Sequence, residues 1–128
     1  SATCSITQKA AEKAMEMKPS LEMLNKFRER RDLILDLIKD IPGIKTNVPQ
    51  GAFYIFPEVS YYFGKSDGKN VIKNAGDLSM YLLNNAHVAV VPGNAFGAPG
   101  CIRISYATSN DLITEAVQRI KKALKLLQ

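Results

Sequence analysis

In the stretch GCIRISYATS, residues 100–109, one arginine stands inside a short apolar run: Arg103 lies between Ile102 and Ile104. A guanidinium is a planar fork of N–H donors that can grip a carboxylate through two parallel bonds. Burying that charge unpaired is expensive, so the strand must either release it to solvent or offer it to an anion. Alternation along an extended chain puts Ile102, Ile104 and Tyr106 on one face and Cys101, Arg103 and Ser105 on the other. The pattern alone predicts a greasy face against a core and a polar face looking outward, with Arg103 in solvent. A second candidate lies just upstream, in PGNAFGAPG, where Gly93 and Gly97 flank Phe96. Glycine lets a backbone approach something closely or adopt positive φ. An aromatic carried by such a loop either lines a pocket or plugs the core.

Other chemistry finds no support. The glycines of PGNAFGAPG do not form GxGxxG, and they open into a strand rather than a helix, which argues against a dinucleotide site. GKS at 64–66 lacks the glycine a phosphate loop needs five positions earlier, where Val59 stands, and GK at 68–69 is followed by Asn70. Cys4 and Cys101 make no CxxC pair, and His87 is the only histidine, so no metal-ligand spacing is present. Unpaired thiols suit a cytoplasmic protein.

The elements that must position these residues follow from periodicity and stop signals. Ser5 to Lys18 reads as a first helix ended by Pro19. Ser20 caps a second helix running to about Ile41, with Leu24, Phe27, Ile34, Leu35 and Ile38 on its apolar face. That stripe lapses at RERRD, residues 28–32, which is either a wet stretch or a place where the helix bridges two packing surfaces. Strands are predicted near 44–48, 52–56, 88–91 and 101–106, the second as a central strand. Residues 57–74 read as a polar surface excursion, and Asp77 to Asn85 as a helix. Thr108 or Ser109 caps the last helix, with Asp111 placed for a capping box after Thr108. The order ααββαββα predicts an α+β, two-layer domain with a small, mostly antiparallel sheet packed on helices.

With 128 residues the chain fits one domain large enough to hold its own core. No apolar run is long enough to span a bilayer, and SATCSITQKAAEKAM is not a secretory signal. The absent initiating Met suggests a processed or excised piece. The net charge of +5 is concentrated in Lys121, Lys122 and Lys125, where cations complement a helix C-terminus. No aromatic side chains interleave with them, so neither a nucleic-acid nor a membrane partner is expected.

Four segments, in order and spacing, resemble the C-terminal part of a class I pyridoxal-phosphate aminotransferase of the aspartate aminotransferase type, fold type I. They are GAFYIFP (51–57), VAVVPGNAFG (88–97), CIRISYATS (101–109) and EAVQRIKKAL (115–124). SATCSITQKAA resembles the segment that follows the cofactor-binding region. The resemblance implies an interdomain segment over residues 1–19 and the small domain over 20–128. It implies that Arg103, in RISYA, binds the substrate α-carboxylate, and it makes Phe96 a substrate-binding candidate at the pocket rim. It implies pyridoxal 5′-phosphate, amino-acid and 2-oxo-acid substrates, and a homodimeric parent enzyme.

The family's cofactor lysine lies in an S-K-x-x-x-x-x-G-x-R-x-G stretch that nothing in this chain matches. The chain alone is therefore expected to bind no cofactor covalently and to be inactive. Two other readings stand beside this one: the small domain of another fold-type I enzyme such as a β-lyase, and a non-catalytic anion or nucleic-acid binding module.

Overall fold

In the computed structural model, which describes residues 2–128, four helices and three short strands alternate along the chain. They are α1 (Ser5–Glu16), α2 (Leu21–Ile38), β1 (Tyr54–Ile55), α3 (Ala75–Ala86), β2 (Val91–Pro92), β3 (Ile102–Ser105) and α4 (Asn110–Leu124). Ser1, the first residue of the expected interdomain segment, lies outside the described residues. The strands form an antiparallel sheet in the order β1-β3-β2. This is the expected α+β two-layer domain, with a small sheet packed on helices.

The helices begin where their caps dictate. Ser20, Asn74 and Ser109 each accept a hydrogen bond from a backbone N–H of the first turn, at Met23, Asp77 and Leu112 respectively. Asp77 reciprocates by accepting from the Lys73 N–H at 2.9 Å. Ser109, not Thr108, caps α4, so Asp111 falls one position short of a capping box and serves as an acidic residue in the first turn.

One core joins the layers. Ile34 and Ile38 of α2, Leu78 and Leu82 of α3, and Ile113, Val117 and Ile120 of α4 are buried with Ile102, Ile104 and Tyr106 of the β3 segment. Alternation along β3 is as expected, with Arg103 half-buried and Ser105 exposed on the opposite face. By contrast, every residue of α1 is exposed.

Several predicted boundaries shift, each for a local reason. The strand expected over 44–48 is reduced to a single bridge between Lys45 and Glu58. The alternation of half-buried Ile44 and Thr46 with exposed Lys45 survives, but no neighbouring strand extends the ladder. The strand expected over 52–56 pairs only at Tyr54 and Ile55 and lies at the edge of the sheet; β3 is central. The strand expected over 88–91 pairs only at Val91 and Pro92, after which the chain turns at once into a 3-10 helix at Gly93–Phe96. Pro92 has no N–H to give and is tolerated because β2 is an edge strand.

Residues 57–74 are not a surface excursion. Pro57, Val59, Tyr62 and Ile72 are buried there, Val59 donates its N–H to the Gly100 carbonyl, and the Tyr62 hydroxyl donates to the Pro42 carbonyl. Single apolar residues at irregular spacing carry no periodic signal, which is why the segment reads as loop. Within RERRD, Arg30 and Arg31 are half-buried and the other three residues exposed, and Arg31 donates to the Pro49 carbonyl at 3.4 Å, tying α2 to the turn before β1.

Candidate functional site

Register places the site. Tyr54 of β1 pairs with Ser105, so Tyr54 shares a sheet face with Ser105 and with Arg103 two residues along β3. A diagonal cross-strand pair of this kind is within reach of an aromatic ring and a long side chain. The Arg103 Cζ indeed lies 5.4 Å from the centre of the Tyr54 ring. On the other side of β3, Val91 pairs with Arg103, and the turn after β2 folds back to set the Phe96 ring centre 4.7 Å from the same Cζ. One aromatic ring therefore reaches the guanidinium from β1 and another from the turn after β2.

The loop carrying Phe96 is fixed from beneath. Gly93 donates its N–H to the Cys101 carbonyl at 2.8 Å, and Ala98 donates to the Gly93 carbonyl at 3.0 Å. Gly97 closes the 3-10 turn at φ +73°, a left-handed conformation that suits glycine. Phe96 then meets Phe56 edge to face, with ring centres 5.8 Å apart. Half of Phe96 remains exposed, so it is not a core plug. What Gly93 approaches so closely is the chain's own backbone.

Arg103 has no counter-charge here. Among the described residues none forms an ion pair or side-chain hydrogen bond with it, and none leaves a buried side-chain nitrogen or oxygen unpartnered. Its N–H groups therefore reach the surface while its Cζ lies near two rings. The opening alternatives combine: the charge escapes to solvent, and in that position it is free to take an anion. On the same strand face, burial first and the Glu58 charge second push the Cys101 thiol above its ordinary value, which keeps it protonated and a poor nucleophile.

The sequence-predicted pair, Arg103 and Phe96, is thus brought together. Tyr54 and Phe56 carry no site signal in the sequence alone. Their signal, aromatic residues inside GAFYIF, becomes readable only once the β1–β3 register is known. Every lysine is exposed or half-buried, and none is held as a desolvated amine beside Arg103.

Residues 1–120 match the family of class I and II aminotransferases. A bifunctional aspartate aminotransferase and glutamate/aspartate-prephenate aminotransferase from Petunia hybrida is 46% identical across 97% of this chain and 27% of its own length. A probable aspartate/prephenate aminotransferase from Aquifex aeolicus is 50% identical over 81% of this chain and 25% of its own. Among solved structures, the aspartate aminotransferase from Rhizobium meliloti superposes with a TM-score of 0.80 at 44% identity, covering 84% of this chain and 27% of that one. The aspartate aminotransferase from Thermotoga maritima gives 0.78 at 35% identity over 98% of this chain and 30% of that one. The chain spans about a quarter of the length of the curated relatives it matches. With the family matched over nearly the whole sequence and the fold shared with its solved members, this chain belongs to the class I and II aminotransferases.

Proposed function

We propose that this chain is the small domain of a pyridoxal-phosphate aminotransferase of the aspartate type, residues 1–19 leading in from the large domain, and that Arg103 anchors the substrate α-carboxylate. The single observation that carries the reading is a half-buried guanidinium with no internal anion, held on a rigid central strand. A strand fixes the donor fork more closely than a loop would, which is what orienting a reacting amino acid requires. The cofactor belongs to the remainder of the enzyme, and no residue here is assigned to it. The chain alone is inactive, and its substrates, amino acids and 2-oxo acids, share the carboxylate that Arg103 takes.

The fully exposed α1 supports the assignment of residues 1–19 as a connection. An apolar shoulder of Met23, Leu24 and Phe53, all exposed, lines a groove with Pro19 and would meet the remaining three quarters of the enzyme. The parent is a cytoplasmic homodimer on this reading.

The test is Arg103→Lys in the full-length enzyme. Lysine keeps the charge but loses the fork, so KM for amino acids and 2-oxo acids should rise and kcat should fall. The combined loss is on the order of 2–4 kcal/mol of transition-state binding. Unchanged kinetics would remove Arg103 from the role.

A further inference from the structure

The geometry points to Tyr54 and Phe96 as a positioning bracket for Arg103, a role that rests on the carboxylate reading above. An unpaired arginine whose head group reaches solvent has many rotamers, and a carboxylate meeting it must first freeze them. Nothing ionic does this in advance, since no described residue pairs with Arg103. Two rings do, at 5.4 and 4.7 Å from the Cζ, one on β1 and one on the 3-10 turn that follows β2. A guanidinium over an aromatic face is attracted by the ring quadrupole and gives up none of its N–H donors. An acidic side chain would hold it as firmly but would occupy the donors that substrate needs. The bracket restrains the cation and leaves it available.

Each ring has its own support. Tyr54 is fixed by the β1–β3 register and meets Phe53 edge to face at 5.9 Å. Phe96 is fixed by Phe56 and by the Gly93–Cys101 hydrogen bond. Phe96 on this view touches the arginine first, whether or not it also touches substrate.

Two measurements test the bracket. In this chain, the Arg103 Nε–H resonance should be shifted upfield by ring current, and Tyr54→Leu or Phe96→Leu should return it toward the position of a free arginine. Tyr54→Phe and Phe96→Tyr, which keep the rings, should preserve the shift. In the full-length enzyme, each leucine variant should raise KM about fivefold with kcat nearly unchanged, and each aromatic variant should restore it. An unshifted resonance, or leucine variants with wild-type KM, would overturn the bracket. So would a Tyr54→Phe variant as impaired as Tyr54→Leu, since the hydroxyl would then be the active part. Arg103→Lys separates the two claims. If it weakens carboxylate binding while the leucine variants do not, the bracket fails and the carboxylate site stands; if it has no effect, the site itself fails.

Discussion

Gly93 lies against the Ala98 carbonyl: a β-carbon at residue 93 would overlap that oxygen and come within 2.6 Å of the Cys101 carbonyl oxygen. The clash is with backbone on two sides, so no rotamer change relieves it. Gly93→Ala should push the 93–97 turn away from β3 and cost about 1–3 kcal/mol in urea denaturation. Phe96 should move with it. Gly97→Ala makes a useful contrast: its β-carbon meets nothing within 4 Å, but φ is +73°. There the cost is conformational and about 1–2 kcal/mol. A Gly93→Ala chain as stable as wild type would show that the close approach does not constrain the loop.

Arg103→Lys in this chain should leave the melting temperature almost unchanged. The guanidinium makes no ion pair to lose, and lysine can still place a cation near the two rings. The expected change is within about 0.5–1 kcal/mol, the range of one exposed cation–π contact. A clear destabilisation would mean that the arginine is structural. It would then have to be paired inside the domain, and its availability to substrate would be lost.

How much of this could be read from residue order depends on whether a feature is periodic. The β3 segment declared its buried face through Ile102, Ile104 and Tyr106, and α4 declared its own through Ile113, Val117 and Ile120. Pairing was not declared. Phe53 to Phe56 looks like a central strand, yet β1 is an edge, because neither side of GAFYIF carries a signal for which strand lies beside it. The 57–74 segment hid its buried residues for a related reason: Val59, Tyr62 and Ile72 enter the core singly, through turns rather than along a ladder. Arg103 and Phe96 stand out in the sequence as residues, but their mutual distance and the presence of Tyr54 depend on register and on a glycine turn. The apolar pattern of Val88 to Val91 likewise hid the late start of β2, which pairs with β3 only at Val91 and Pro92.

Incubating this chain with pyridoxal phosphate and reducing with borohydride should give no stoichiometric adduct on any one lysine. All of its lysines are exposed or half-buried on the surface, where water reaches a Schiff base and hydrolyses it. Scattered low-level labelling is the expected mass spectrum. A single fully modified lysine would reveal a cofactor site in this domain and overturn the assignment of that chemistry to the rest of the enzyme.

Stability should fall steeply in alkali, and Tyr62 should account for a separable part of it. Its ring is buried beside Ile41 and Tyr61, and its hydroxyl donates to the Pro42 carbonyl across the end of α2. Burial first, and the neighbouring Tyr61 second, push its pKa up to about 12. In the unfolded chain the phenol titrates near its ordinary value of about 10. Below pH 10 the phenol is neutral in both states, so its full contribution is present. Between pH 10 and 12 the unfolded chain loses the proton that the folded chain keeps, which favours unfolding, and the contribution is lost as pH passes the folded value. Tyr62→Phe removes both the hydrogen bond and the titration. The variant should be about 1 kcal/mol less stable than wild type at neutral pH, the usual net worth of one such bond. That deficit should shrink as pH rises through the window and vanish or reverse near its upper end. Burial also raises Tyr81 and Tyr106, but both remain in the variant, so the difference between the two proteins isolates Tyr62. Urea denaturation of the pair at intervals from pH 8 to pH 12 reads the effect directly, and a stability difference that stays constant across that range would show that Tyr62 ionises no later in the folded chain than in the unfolded one.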